Sequence, residues 1–387
     1  MGDSRTSQEL SARLESYGWI DARLVGVAIA SVGVVLVSLF VQVSFGVYSM
    51  SITEAWYAVL DADVWYDERV LLSFLLGEDL MRTVLFVPES YELPNLARNT
   101  TIVWNGRLPR VLAAVLVGSN LAISGAIFQA VTRNELASPY ILGVSSGAGL
   151  AILLTLVIFS GMAALLPISA ALGGAIAFVL VYAIAWKGGT NPVRLVLAGV
   201  IVGTVFNSLQ TALLLFAQDM ATVQTAISWT TGTLTGADWD EVRLVLPWTI
   251  LTSILALAGA RQLNVLLLGE RTAGALGMSV ERARFGLSGI AIVAASSSIA
   301  AAGIVGFVGL IVPHAVRTLV GSDYKRLIVG CLFVGPALLV TADVGARLGM
   351  AVLFGSTNQL PVGILTGLIG GPYFLYLMRR RKHLGDL

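Results

Sequence analysis

What this chain has least of is charge. Asp, Glu, Lys and Arg make up 12% of its 387 residues, against 56% for hydrophobic types, and mean hydropathy is +0.84. No polar block is long enough to form a soluble domain, which removes the multidomain reading that length alone suggests. Cysteine occurs once, at Cys331, so an internal disulfide and a cysteine-rich metal site are excluded. Lysine is confined to Lys187, Lys325 and Lys382, none of them in a glycine-rich phosphate loop, so no nucleotide site of that type is present. The first apolar run, Leu24 to Phe45, is too long for the core of a cleavable signal peptide, and no small-x-small site follows it.

The charge that remains is unevenly placed. None lies between Arg23 and Glu54, Arg110 and Arg133, Glu135 and Lys187, Arg194 and Asp219, or Arg243 and Arg261. The same holds from Arg284 to His314, from Arg326 to Asp343 and from Arg347 to Arg379. A spanning helix needs about 20 apolar residues, and a charge at the bilayer centre is costly. The gaps therefore predict an all-α polytopic membrane protein with about ten transmembrane helices. They fall near 24–46, 110–131, 141–159, 165–186, 195–216, 244–260 and 286–302, then a short helix ending near Val320, then 327–346 and 360–378. Gly161 and Pro167 mark the turn inside the longest gap, and Gly303, Gly306 and Gly309 mark a sharp turn before the short helix.

An even count puts both termini on one side. With the N-terminus in the cytoplasm, 17 of the 24 Lys and Arg residues fall inside and 7 outside, as the positive-inside rule requires of a plasma-membrane protein. The expected organisation is a cytoplasmic segment (1–23), a transmembrane domain (24–380) and a cytoplasmic tail (381–387). One external connection, about 47–106, is long and acidic, with Glu54, Asp61, Asp63, Asp67, Glu68, Glu78, Asp79, Glu89 and Glu92. Its apolar runs Val70–Leu76 and Val84–Val87 are too short to span, and are expected to lie as amphipathic helices on the surface. The longest cytoplasmic connection is about 261–285.

An ion-coupled transporter keeps carboxylates or histidines near the midplane. Here His314 sits close to one helix end and Asp343 close to another. His314 has no intramembrane carboxylate or nucleophilic cysteine beside it in the sequence, so it reads as a structural residue and not as part of an intramembrane enzyme. A chain with neither coupling ions nor a nucleotide site must receive energy from another subunit, gripped from the cytoplasm. Gly269-Glu-Arg-Thr-Ala-Gly-Ala-Leu-Gly277 reads as a short helix stopped by glycine, suited to that grip. The pairs Gly143/Gly147, Gly199/Gly203, Gly345/Gly349 and Gly363/Gly367 have helix-contact spacing, and those on the fifth and tenth helices are the candidates for a homodimer seam.

At this loop the sequence resembles a known family. Gly269–Gly277 is similar to the coupling segment of the FecCD family, the permease subunits of ATP-binding-cassette importers for iron–siderophore complexes, haem and vitamin B12. Arg107-Leu-Pro-Arg110 through Gly118, Ser124–Gln129, Arg133-Asn134 and Ala137–Gly149 resemble its second-helix and following blocks. Gly306–His314 and Leu360–Gly367 resemble two later ones, and the blocks run in the family's order from about 100 to 382.

The resemblance implies a type II ABC importer permease acting as a homodimer, or with a related permease subunit. Two ATPase subunits below would bind the ATP and Mg, and an external substrate-binding protein would sit above. It implies no cofactor in this chain and no nucleic-acid partner. Gly269, Glu270, Arg271, Ala273, Leu276 and Gly277 correspond to the coupling loop. Arg107, Arg110 and Arg347 match outward-facing arginines that, in the family's B12 importer, meet carboxylates of the binding protein. Arg347 has an alternative, an internal pair with Asp343 one turn earlier. Pro192 and Val193 fall at the inner gate, where family members often carry small polar residues. The segment Gln218–Gly236 falls at the external pore mouth. Arg133-Asn134 and Ser138-Pro-Tyr140 favour an iron chelate over B12 as cargo. An ion-coupled secondary transporter is the rival reading, and the acidic insertion is not accounted for by the resemblance.

Overall fold

The computed structural model describes residues 21–382 apart from 47, 89, 90, 92, 188, 218 and 356–358. Most of the expected N-terminal segment and residues 383–387 of the expected tail thus lie outside the described residues. In chain order the helices are α1 (Ala22–Ser44), α2 (Ile52–Val59), α3 (Ala62–Trp65), α4 (Glu68–Leu76), α5 (Glu78–Val84), α6 (Arg98–Val131) and α7 (Val144–Ile158). They continue as α8 (Leu166–Ala185), α9 (Pro192–Leu214), α10 (Met220–Thr231), α11 (Trp239–Ala258), α12 (Ala260–Leu267) and α13 (Glu270–Ala275). The last four are α14 (Val280–Ala302), α15 (Val308–Val320), α16 (Tyr324–Phe354) and α17 (Val362–Lys382). No strand forms among the described residues. Among the described residues seven helices are long and apolar enough to cross a bilayer, and α7, α15 and the apolar part of α17 (Val362–Leu375) are shorter. Together these are the ten apolar rods read from the charge gaps, in the same order.

Helix α6 is the central pillar, with 83% of its most apolar stretch buried, whereas α1 leaves most of its surface to lipid with 17%. Lipid gives apolar helices little reason to associate, so close backbone approach and interhelical hydrogen bonds hold the bundle. Both are present. A Cβ added at Gly125 would lie 1.8 Å from the Gly309 carbonyl oxygen, and one at Gly118 would lie 2.6 Å from that of Gly335, so α6 meets α15 and α16 backbone to backbone. Between these contacts the buried Asn120 amide donates to Thr249 Oγ1 (2.9 Å) and accepts from Thr252 (3.2 Å), tying α6 to α11.

Several boundaries differ from the expected ones. Helix α6 begins at Arg98 and not near 110, α11 at Trp239 and not near 244, and α16 runs to Phe354 and not to about 346. In each case the charge-gap reading stopped at an ionisable residue that the structure places inside the helix with a partner. Asp238 and Glu241 form a reciprocal capping box that starts α11 ahead of Arg243. The polar segment after α9 also contains a helix, α10, behind its Asp219 cap.

The insertion departs furthest from expectation. Helices α2–α5 do not merely lie on the surface; they fold into a cap docked on α6 and α11. Val64, Val70 and Met81 are fully buried in it. The Trp104 ring lies 5.3 Å from Phe74 and 6.5 Å from Trp239, and its indole N–H donates to Ala58 O at 3.0 Å. Arg243 reaches across to Phe74 O at 2.7 Å. Within Val84–Val87 the helix ends at once, and Phe86 turns outward with positive φ.

Candidate functional sites at the two ends of the bundle

At the cap end, α1, α6 and α16 bring together the three arginines singled out in the sequence. Arg107, Arg110 and Arg347 line one cavity with Tyr48, Asp238 and Gln359. All three are buried, at 6–7% exposure, and do not stand freely on an outer rim. The pairing within the cluster also differs from the i,i+4 alternative. Asp343 takes Arg110 in a bidentate fork, Nε at 2.8 Å and Nη2 at 2.7 Å, and accepts from Gln42 Nε2 at 3.0 Å. Arg347 instead donates to the Gln42 carbonyl at 3.1 Å, and Arg107 to the carbonyls of Val43 and Tyr48. Among the described residues no carboxylate lies within ion-pair distance of Arg107 or Arg347. The Arg347 Nε and Gln42 Oε1 atoms are buried without partners. Of the three charges only that of Arg110 has an ion-pair partner among the described residues, and Asp238 adds one carboxylate to the cavity lining.

A second cavity, of about 470 Å³, lies between the two ends. Ser138, Tyr140, Ile141, Thr230, Thr231, Phe307, Gly363 and Gly367 contribute to its wall. Three sequence blocks far apart in the chain, around 138–141, 304–310 and 363–367, converge there. The left-handed Phe307 (φ 66°) and Gly303 (φ 66°) make the bend that brings the α14–α15 turn to it. The wall is apolar with a few hydroxyls, and no cluster among the described residues could hold a metal ion.

At the opposite end, the Gly269–Gly277 segment forms the helix that its glycines foretell. Gly269 (φ 95°) and Gly277 (φ 80°) adopt backbone angles open to glycine and bracket α13. Ala273 packs inward, while Arg271 and Leu276 project outward, Leu276 at 64% exposure. Glu270 is drawn back to the bundle by Arg284 Nη2 at 2.7 Å, with Arg133 at 4.0 Å. Pro192 and Val193 separate: Pro192 is buried at the first turn of α9, and Val193 faces outward at 67% exposure. Asn191 caps α9, accepting from the Val193 N–H at 2.9 Å.

Sequence reading missed the residue that joins these two features. Arg284 is 1% exposed and contacts both Glu270 of α13 and Thr190, just before α9. The signal available was a cation one turn into the run that becomes α14, with Glu281 three residues earlier. His314 also has company that the sequence did not place beside it: its ring nitrogen lies 3.6 Å from Glu135, which is 3.7 Å from Arg317.

The chain matches the FecCD transport family over residues 34–380. It is 38% identical, over 73% of this chain and 85% of the other, to the iron(3+)-hydroxamate import system permease protein FhuG of Bacillus subtilis. It is 40% identical to the cobalamin import system permease protein BtuC of Halobacterium salinarum, over 76% of this chain and 77% of that one. It is 37% identical to the hemin transport system permease protein HmuU of Yersinia pestis, over 81% and 98%. Among solved structures, an inward-facing metal-chelate type ABC transporter matches with a TM-score of 0.71 at 26% identity, covering 92% of this chain and 99% of that one.

Proposed function

Since the chain belongs to the FecCD transport family, we propose that it is the permease subunit of an ATP-binding-cassette importer, forming the path for an iron chelate across the plasma membrane. The match across residues 34–380 carries this reading. Vitamin B12 is the second cargo class, because relatives of similar identity include permeases of both kinds. ATP and Mg belong to two partner ATPase subunits, which grip α13 through its outward Arg271 and Leu276. Both termini and α13 then lie in the cytoplasm, and the cap lies outside. An external binding protein delivers cargo above the Arg107–Arg110–Arg347 cavity, its carboxylates meeting the charge that Asp343 leaves uncompensated.

The pore forms between two permease subunits. Support comes from α9, whose Val193, Leu197, Val200 and Ile201 are more than half exposed. The glycine pairs divide on this point. Gly199 and Gly363 are used inside the chain, a Cβ meeting Ile141 O at 2.4 Å and Thr231 O at 1.7 Å, while their pair-mates Gly203 and Gly367 meet only Ser146 Oγ at 3.6 Å and a Phe307 ring carbon at 4.0 Å, which leaves room for a partner.

The test is reconstitution in liposomes. With its ATPase and binding protein, the chain should import chelate only when ATP is supplied, and alone it should import nothing. Uptake by the lone chain under a proton or sodium gradient would overturn the proposal in favour of a secondary transporter.

A further inference from the structure

The end of the bundle that carries α13 holds a polar knot around a buried arginine, and its members come from three separate segments. Its centre is Arg284, in the first turns of α14 and almost wholly enclosed. Its Nη2 donates to Glu270 Oε1 at 2.7 Å, in α13. Its Nη1 donates to the Thr190 carbonyl at 2.5 Å, to Thr190 Oγ1 at 3.0 Å and to Glu281 Oε1 at 3.1 Å. Glu281 closes the knot, accepting from the Thr190 amide at 2.8 Å and the Thr190 hydroxyl at 2.9 Å. Thr190 itself is 3% exposed and stands two residues before Pro192, the first residue of α9. One guanidinium thus spans the distance from α13 to the root of α9.

We propose that Arg284 is a positioning residue that carries displacement of α13 to the start of α9, and so links an ATPase stroke to the inner mouth of the path. The proposal rests on the permease reading above for its ATPase, though not for the link itself.

The physical argument is that charge-assisted bonds of this length, fanning from one enclosed guanidinium, behave as a stiff strut. If α13 moves and Arg284 does not follow, the enclosed guanidinium loses the Glu270 carboxylate, which is unfavourable because Arg284 itself is 1% exposed while Glu270 is half in solvent. If Arg284 follows, it pulls on the Thr190 carbonyl and hydroxyl, and the α9 N-terminus goes with them. The two carboxylates have different duties. Glu281 shares Arg284's helix and fixes Thr190 to it, whereas Glu270 is the only carboxylate in the knot that belongs to α13. A guanidinium suits the position because its fork reaches partners on both sides at once, which a lysine ammonium cannot do.

Two measurements test this. In the reconstituted importer, Arg284→Met should leave ATP hydrolysis per assembled complex near the wild-type rate while cargo moved per ATP falls about 10-fold, a size typical of coupling between sites. Arg284→Lys should fall between the two, and adding Glu270→Gln to Arg284→Met should cause little further loss, because both break one link. An unchanged ratio of cargo to ATP, or hydrolysis and uptake falling in parallel, would overturn the proposal, since a residue that merely holds the fold together scales both alike. The second measurement is hydrogen exchange on the isolated permease in nanodiscs. Glu270→Gln, a change confined to α13, should speed exchange at residues 189–193. Unchanged exchange there would break the link without reference to any ATPase or cargo. Conversely, a wild-type complex that shows no ATP-driven uptake while the exchange effect persists would sink the permease reading and leave the strut standing.

Discussion

Replacing Asp343 by alanine removes the anion that offsets Arg110 in the cap-end cluster. The carboxylate accepts three hydrogen bonds, two from Arg110 and one from Gln42, and both ion-pair side chains are below 10% exposure. Without it, Arg110 keeps one side-chain acceptor, Gln359 Oε1 at 2.5 Å, and three arginines share one cavity with no buried carboxylate among them. Breaking a buried pair by deleting one partner costs about 3–5 kcal/mol, or roughly two to four powers of ten in the folded-to-unfolded ratio. The chain supplies its own reporter, since Cys331 is the single cysteine and is fully buried on the same helix. The rate at which a maleimide dye labels Cys331 through a denaturant series measures opening of the bundle directly. Asp343→Ala should shift that opening by the amount above, and the double variant Arg110→Met, Asp343→Leu should recover most of it, because an apolar pair removes the stranded charge. A single variant within about 1 kcal/mol of wild type, or a double variant no better than the single, would refute the claim that this carboxylate neutralises Arg110.

Other expectations follow from the same geometry. Gly125→Ala must push α6 off the α15 backbone, since its Cβ would sit 1.8 Å from Gly309 O, and should cost about 1–3 kcal/mol or more in the same labelling assay. Gly203→Ala and Gly367→Ala meet nothing closer than 3.6 Å and should leave that assay unmoved while disturbing co-purification of two differently tagged copies, and undisturbed co-purification would remove the seam from these helices. Trp239→Ala deletes one wall of the aromatic stack beneath the cap and should cost about 3–5 kcal/mol of cap docking, read as faster protease cleavage between residues 85 and 97. The Glu54 carboxylate, which accepts from the Ser51 backbone N–H and hydroxyl, is held below its ordinary value of 4.5. Its cap on α2 is therefore fully present above pH 4.5 and lost as pH falls through the lowered value, so protection of α2 amides should drop in acid and Glu54→Gln should abolish that dependence.

What the sequence settled by itself was the class of molecule and the order of its spans. Charge is so costly in hydrocarbon that its absence marks each span, and glycines such as Gly269, Gly277 and Gly303 mark the bends because their φ values are open to few other residues. The membrane imposes those features locally, so they can be read locally. The same rule misled at Arg107, Arg110, Asp343 and Arg347, where it ended helices that in fact continue. A buried ion is tolerated once partners from other segments surround it, and those partners (Gln42, Asp343, the Val43 carbonyl) lie as many as 305 positions away. Tertiary structure alone also decided that the acidic insertion is a packed cap, through Trp104 and Trp239, and that Arg284 joins α13 to α9. Such contacts depend on which surfaces meet when separate helices pack, a property of the assembled bundle that no single stretch of chain contains.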